Sequence, residues 1–286
     1  MELHDVLYEA GGGIARVTLN RPKYRNAQSY RLLDELDIAL DRAMGDPDVK
    51  VVIVTGAGDH FSSGHDLGTP EFLEDRKRRD IPDSGIAFYN NFRKYNYDLT
   101  LKWRNLPKPT IAMVRGYCIY GGWMIASAMD LVFASRDALF LAGLVEYFSI
   151  PWDLGPRKTK ELLFESRFIT AAEAHEMGFV NRVYAAEDLD RETVAYARRV
   201  AENGDIPLRM AKLSVNKAMD MQGYTSFVEA AFADYLVQST QRGVVRAEGE
   251  RRLGAVDLAL RHLRGERAGQ AGPSSQAGSP GDSPAP

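Results

Sequence analysis

The chain has 286 residues, of which 45% are hydrophobic, and a formal net charge of -3. This length and composition suffice for one large domain, or two small ones, with a well-buried core. The weak net charge creates no global field that would attract nucleic acid or an anionic membrane, so neither is an expected partner. The basic segment EDRKRRD at 74–80 is flanked by acids, and we interpret it as a solvated face. A small molecule or further copies of the chain are the expected partners.

The cysteine content and the apolar segments bear on location. Cys118 is the only cysteine, which excludes an intrachain disulfide and favours a reducing cytosol. Its apolar neighbours predict a small buried side chain and not a nucleophile. The N-terminal MELHDVLYEAGGG lacks the basic start and apolar run of a secretory signal, and the apolar stretch 116–129 is too short to span a bilayer. We therefore expect a cytoplasmic protein.

Hydrophobic patterning predicts a strand, a helix and a second strand near the N-terminus. IARVTLN at 14–20 alternates as a strand does. SYRLLDELDIALDRAMGD at 29–46 places its leucines on one helical face, with Ser29 as the N-cap. VKVVIVTGAG at 49–58 is a continuous apolar run, which is typical of a strand buried on both faces.

The middle of the chain repeats this succession. TIAMVRGYC at 110–118 and DLVFAS at 130–135 are predicted as strands, and GGWMIASAM forms a helix between them. The segment 67–109 before them is polar, aromatic and poorly periodic, and we predict a mobile lid there. Strands that alternate with helices indicate an α/β fold with largely parallel pairing.

The C-terminal third is predicted to be helical. From about residue 157 most of the pattern is helical, so we divide the chain into a core at 1–200 and a helical region at 201–264 that packs against neighbours. The tail at 265–286 is rich in Gly, Pro, Ser and Ala, and we predict that it is disordered.

Two glycine-containing turns follow the predicted buried strands. FSSGHDL lies at 61–67 and GYCIYGG at 116–122. Open α/β sheets bind ligands beyond the carboxyl ends of their strands, and such turns present free backbone N–H groups. Two donors aimed at one point form an oxyanion hole for a carbonyl that gains negative charge. Either turn alone is compatible with an ordinary turn, but the pair favours a ligand site.

Four stretches, taken together in their order and spacing, resemble the enoyl-CoA hydratase/isomerase (crotonase) superfamily. The resemblance covers roughly residues 3–263, and it implies a core of repeated ββα units with a helical C-terminal oligomerisation region. It also implies a homotrimer or homohexamer and an acyl-CoA thioester as substrate, with no permanently bound cofactor. The four stretches are LNRPKYRNAQS (19–29), VKVVIVTGAGDHFSSGHDL (49–67), LPKPTIAMVRGYCIYGGWMIASAMDLVFAS (106–135) and ITAAEAHEMGFVNRVY (169–184).

The resemblance further implies which residues form the site. The backbone N–H groups of His65 and Gly121 would hold the thioester oxygen. The imidazole of His65 would point to solvent or contact the pantetheine arm, and we do not predict it as a general base. Asp66 is predicted to stabilise its own turn. The predicted coenzyme A contacts are Arg25, Ser63, His65, Asp66, Leu67, Gly68 and Gly121.

Hydratases of this family use two glutamates, and this chain has neither at the expected position. Alignment of the second glycine turn puts Met124 in the first position, and a thioether cannot transfer a proton. The segment after Phe140 is shortened where the second glutamate would lie, and Leu144 takes that position when Phe140 is the anchor. Two acids remain nearby, Glu146 and Asp153, and we predict that one of them is the acid/base.

Each of these acids also has a structural interpretation. Asp153 lies next to Trp152, and desolvation there would raise its pKa as a proton-transfer group requires. Alternatively, Asp153 caps the helix that begins near Gly155. Glu146 is equally consistent with an exposed strand end. The histidines have no metal-ligand spacing, so no metal site is expected.

The sequence therefore predicts an enzyme of the hydratase/isomerase type that stabilises a thioester enolate. Two-glutamate hydration is disfavoured, whereas an oxyanion hole with one carboxylate suits double-bond isomerisation, decarboxylation or C–C bond hydrolysis. The alternative from a different class is a non-catalytic acyl-CoA-binding subunit.

Overall fold

The structure is a computed structural model that describes residues 2–81, 84–239 and 255–270. Within those residues the strands form two sheets, one of six strands and one of three. The strands are β1 (Val6–Gly11), β2 (Ile14–Leu19), β3 (Val51–Gly56), β4 (Thr110–Val114), β5 (Tyr117–Ile119), β6 (Leu131–Ser135), β7 (Leu139–Leu141), β8 (Ile169–Thr170) and β9 (Arg182–Tyr184).

The larger sheet has the order β1-β2-β3-β4-β6-β9. β1 and β2 pair antiparallel, and the remaining neighbours pair parallel. All residues of β3 and β4 are buried, as expected for parallel strands covered on both faces. The smaller sheet has the order β5-β7-β8. The predicted α/β fold with largely parallel pairing is confirmed.

Helices cover the sheets and form most of the C-terminal third. A short 3₁₀ helix at Pro22–Tyr24 and a π-helical turn at Lys94–Asp98 complete the described helical segments. The α-helices are α1 (Tyr30–Gly45), α2 (Pro70–Arg78), α3 (Gly85–Arg93), α4 (Leu99–Arg104), α5 (Gly121–Ala128), α6 (Ile150–Leu154), α7 (Pro156–Glu165), α8 (Ala171–Glu176), α9 (Leu189–Ala201), α10 (Asp205–Met221), α11 (Tyr224–Ser239) and α12 (Ala255–Gln270).

The N-terminal elements agree with their sequence patterns. The hydroxyl of Ser29 accepts a hydrogen bond from the Leu32 N–H and caps α1, as predicted. The apolar face of α1 packs into the main core through Leu32, Leu36 and Leu40, none of which is exposed. Cys118 is also buried in this core, and burial raises the pKa of its thiol.

The predicted strand at 110–118 is wrong as a single element. The chain leaves the larger sheet after Val114 and enters the smaller one at Tyr117. Gly116 makes this break with a φ of 53°, and a Cβ there would lie only 2.3 Å from His60 Nδ1. Glycine is required because only it combines positive φ with this close approach. The break separates the sheet strand from the turn that carries Gly121.

Two other expectations differ from the structure. The segment 67–109 is largely helical, since it contains α2, α3, the π-helical turn and α4; its predicted mobility stays a prediction. Its helices bury ring faces at irregular spacing, so the sequence shows no regular apolar stripe. The helix α12 continues through Gln270, past the predicted start of the tail at Gly265. Residues 271–286 lie outside the described residues.

Candidate functional site

The two glycine turns predicted from the sequence lie against each other. Gly64 has a φ of 89°, and a Cβ on it would lie 2.8 Å from the Ile119 carbonyl oxygen and 3.3 Å from the Gly121 nitrogen. An isolated parallel bridge between Ser62 and Cys118 holds the two turns in register. The close approach brings His65 and Gly121 into one site, although they are far apart in sequence.

The backbone N–H groups of His65 and Gly121 are free within the described parts of the chain, where no hydrogen-bond acceptor contacts either of them. In the bridge between Gln28 and His65, the N–H donors are those of Gln28 and Asp66, so the His65 N–H faces the other way. Gly121 is the first residue of α5, where N–H groups have no partner within the helix.

The residue before Gly121 has an unusual backbone conformation. Tyr120 has a φ of 47° and a ψ of -102°, which is costly for a residue with a Cβ. Its ring packs so closely on Gly143 that a Cβ there would lie 2.4 Å from Tyr120 Cε1. The strained turn orients the start of α5, and such strain clusters at functional sites.

Glu146 and His65 face each other in the same site. The nearest side-chain atoms, His65 Nε2 and Glu146 Oε2, are 3.7 Å apart. Neither atom has a hydrogen-bond partner among the described residues, and both are buried. Glu146 is 2% exposed, so it is not the exposed strand-end residue that was one alternative. The His65 imidazole points towards this carboxylate, which the sequence did not predict.

A cavity of about 330 Å³ contains this pair. Gln28 also lines it, although this residue was not predicted from the sequence. A Cβ on Gly121 would lie 2.5 Å from Gln28 Oε1 and 2.9 Å from His65 Cε1, while Gln28 Nε2 is buried without a partner. Gln28 directly precedes Ser29, the N-cap of α1. What marks it as a site residue is its buried, unpaired amide, and burial cannot be read from the sequence.

A surface groove adjoins the cavity and contains most of the predicted coenzyme A contacts. His65, Asp66 and Leu67 line both spaces. Leu67 is 91% exposed, so a large apolar side chain stands at this entrance. Gly121 does not line the groove, but it lies close to His65, since a Cβ built on it would be 2.9 Å from His65 Cε1. The predicted residues that line the groove are Arg25, Ser63, His65, Asp66, Leu67 and Gly68.

Asp66 stabilises the loop at the groove, as one interpretation proposed. Its Oδ1 accepts hydrogen bonds from the N–H groups of Gly68 and Thr69, and its Oδ2 contacts Arg21 Nη1 at 2.8 Å. Burial alone would raise the pKa of Asp66, but these hydrogen bonds, with one from the Thr69 hydroxyl, lower it below its ordinary value. The carboxylate is therefore fully used by the loop.

Met124 occupies an apolar position on α5. It is 3% exposed and packs in a cluster with Tyr97, Val145 and Tyr147. The thioether is surrounded by aromatic and aliphatic side chains, so the methionine fits its surroundings as a packing residue.

Asp153 lies apart from the Glu146 cavity. It belongs to α6 and does not cap α7, whose N-cap is Gly155, so that alternative is wrong. Its Oδ2 accepts hydrogen bonds from Trp123 Nε1 at 3.0 Å and from the Ser149 hydroxyl at 2.8 Å. Burial raises the pKa of Asp153 to about 6, against the effect of these two donors. It lines a different cavity, near the C-terminal end of α5, together with Lys212.

Neither a metal site nor a membrane-spanning helix is found among the described residues. No group of three His, Cys, Asp or Glu side chains in them is placed to hold a metal ion. None of their helices is both long and apolar enough to cross a membrane.

The sequence pattern of the enoyl-CoA hydratase/isomerase family matches residues 9–249. This match covers most of the chain, including both glycine turns, the Glu146 cavity and the groove. The chain belongs to the enoyl-CoA hydratase/isomerase family.

Individual proteins agree with this assignment. The chain is 37% identical to EchA13 of Mycobacterium tuberculosis, a protein named as an enoyl-CoA hydratase, over 92% of this chain and 89% of that protein. A crystal structure of a probable enoyl-CoA hydratase from Mycobacterium smegmatis is 42% identical, with a TM-score of 0.70, over 80% of this chain and 91% of the other. An enoyl-CoA hydratase/isomerase from Xanthobacter autotrophicus Py2 is 31% identical with a TM-score of 0.74, and 94% and 97% of the two chains are covered.

Proposed function

We propose that this protein is an enzyme that forms an enolate from an acyl-CoA thioester, with Glu146 as the acid/base. The observation that carries the proposal is that His65 Nε2 and Glu146 Oε2 are buried, face each other at 3.7 Å and have no hydrogen-bond partner, in a site with two free backbone N–H groups. Buried polar atoms without partners are costly. A substrate that supplies the missing partners accounts for their retention.

Glu146 and the two backbone N–H groups together supply the proposed proton transfer. The Glu146 carboxylate removes a proton from the carbon next to the thioester carbonyl, and the electron pair of that C–H bond forms the C=C bond of the enolate. The carbonyl π pair moves to oxygen, where the N–H groups of His65 and Gly121 stabilise the negative charge. Return of the proton at the same carbon reverses the step, and return at the γ-carbon of an unsaturated acyl group moves the double bond.

Hydration with two acid/base groups is less well supported. Met124 is packed in an apolar cluster, and Asp153 lines a separate cavity. Asp66 also lines the Glu146 cavity, but its oxygens are bonded within the loop, so Glu146 is the carboxylate that we assign to the proton transfer. One carboxylate that removes and returns the same proton is sufficient for isomerisation. We place double-bond isomerisation first among the enolate reactions for this reason.

The alternative of a non-catalytic acyl-CoA-binding subunit is weaker. A binding protein has no use for a buried carboxylate oxygen without a hydrogen-bond partner at the cavity wall, because such a group disfavours an apolar ligand. Glu146 is 2% exposed, its Oε2 has no hydrogen-bond partner, and the His65 imidazole faces it at 3.7 Å.

The experiment that tests the proposal is exchange of the C2 hydrogens of butanoyl-CoA with solvent deuterium, followed by mass spectrometry. It detects enolate formation whatever reaction follows. We expect exchange by the wild type and loss of exchange in Glu146→Gln. Binding of butanoyl-CoA without any exchange by the wild type would reject the enzyme and support the binding subunit.

We also propose that the protein assembles as a homotrimer or homohexamer in the cytoplasm, with coenzyme A present only as part of the substrate. Support comes from α10, which exposes Ile206, Met210 and Leu213 at helical spacing. A single buried cysteine suits a reducing compartment. Sedimentation equilibrium measures the assembly state, and a monomer would contradict it.

A further inference from the structure

The Glu146 cavity is walled by aromatic rings from four separate elements. α1 contributes Tyr30, α2 contributes Phe72, α3 contributes Phe88 and Phe92, and α11 contributes Tyr235. All five side chains are only partly buried. Each of the five therefore keeps some exposed surface, and each lines the cavity that contains His65 and Glu146.

The rings are arranged as offset stacks. Tyr30 and Phe72 lie 5.4 Å apart with an interplanar angle of 21°. Phe92 stacks on Phe88 at 5.5 Å and 18°, and on Tyr235 at 6.0 Å and 12°. Near-parallel neighbours at these distances fall within the range in which aromatic rings attract each other beyond their apolar contact. Phe92 therefore stacks both on Phe88 of its own helix and on Tyr235 of α11.

We propose that the acyl group of the substrate carries an aromatic ring, which extends this stack within the cavity. This proposal rests on the enolate function above and names its substrate class. Two aliphatic side chains share the lining: Leu33 is 4% exposed, and Leu67 also lines the adjoining groove. A planar ring obtains edge and face contacts here that a linear chain does not.

The proximity of the rings to Glu146 limits the length of the linker. The rings and the Glu146–His65 pair line one cavity of about 330 Å³, so the ring must follow the reacting carbons closely. A phenyl group on the third acyl carbon keeps C2 available to Glu146 and places the ring beyond it. Arg76 also lines the cavity, and a guanidinium beside a ring is favourable.

The test is calorimetric titration with 3-phenylpropanoyl-CoA, 3-cyclohexylpropanoyl-CoA and nonanoyl-CoA. These acyl groups have the same number of carbons, and they differ only in ring and planarity. We expect the phenyl thioester to bind roughly five-fold or more tightly than either of the others. Equal or tighter binding of nonanoyl-CoA would overturn the proposal, and so would equal binding of the cyclohexyl thioester.

Matched variants locate the preference. Phe92→Leu should bring the phenyl-to-nonanoyl affinity ratio close to one, while Phe164→Leu, which changes a ring that is 82% exposed on α7, should leave the ratio unchanged. A ratio that persists in a folded Phe92→Leu protein would overturn the assignment of the stack.

The outcome is separable from that of the enolate proposal. Deuterium exchange of butanoyl-CoA with no phenyl preference would keep the enolate function and reject the aromatic substrate. Failure of all three thioesters to bind would reject the aromatic substrate, and the enolate function would fall with it only if butanoyl-CoA also shows no exchange.

Discussion

Glu146 and Asp153 are close in sequence, but the structure treats the two carboxylates in opposite ways. Asp153 accepts hydrogen bonds from Trp123 and Ser149, and burial raises its pKa to about 6. Glu146 is buried with Oε2 unpaired and faces a histidine. The raised pKa of Asp153 is therefore not the feature on which we base the proposed catalytic acid. The unpaired position beside free N–H donors is the more informative feature.

The largest expected effect comes from exchanging the two carboxylates for amides. Glu146→Gln should lower the rate of deuterium exchange by about 10²- to 10⁴-fold, because an amide cannot accept the proton. Asp153→Asn should leave the rate within about two-fold, a barrier change below 0.5 kcal/mol. Exchange rates of acyl-CoA measured for both variants at saturating substrate check this. The reverse order of effects would assign catalysis to Asp153.

The next effect concerns the second glycine turn. Gly121→Ala should lower the exchange rate by about 10²-fold, because its Cβ would displace Gln28 and His65 from their present contacts with Gly121. Gly45→Ala is the matched control, since a Cβ there meets nothing within 4 Å. Thermal melts of both variants separate a local from a global effect. Full activity of Gly121→Ala would exclude this turn from the site.

The Asp153 side of the comparison predicts a pH-dependent stability. Its pKa is raised from 3.8 to about 6 by burial, so the folded state retains the proton more tightly than the unfolded state. The free energy of unfolding therefore falls as pH rises through this window. Asp153→Asn should be more stable than wild type by about 3 kcal/mol at pH 8, with no gain below pH 4.

Urea unfolding of wild type and Asp153→Asn across this pH range measures the difference. A difference in the free energy of unfolding that is the same at all pH values would contradict a raised pKa of Asp153 in the folded state.

The smallest expected effect is loss of the Ser149 hydroxyl. Ser149→Ala should cost about 1.5 kcal/mol at pH 8, because the ionised Asp153 loses a charge-assisted donor. At pH 4 the cost should be smaller. Ser127→Ala removes a hydroxyl that donates to the Met124 carbonyl, so its cost should not vary with pH. Urea unfolding of both variants at the two pH values decides between these outcomes.

Some of the site was accessible from sequence because it depends on local chemistry. The glycine turns at 61–67 and 116–122 were recognised by composition and by their place after apolar strands, and the structure brings them together through Gly64 and Gly121. The helix α1 and its Ser29 cap follow from spacing alone. The aromatic segment before α4 was not predicted to be helical, because several of its rings line the cavity and its apolar residues do not recur at a regular helical spacing.

The sequence by itself determined the alternation of strands and helices, the family, and the two turns that supply N–H donors, since these depend on short-range periodicity and backbone chemistry. Only the tertiary structure shows how the surroundings of Glu146 and Asp153 differ. Both are acids in one short segment, and their difference lies in contacts with residues distant in sequence, His65 for one and Trp123 for the other. Burial and hydrogen bonding are properties of the packed chain, so no local pattern distinguishes a satisfied carboxylate from an unpaired one.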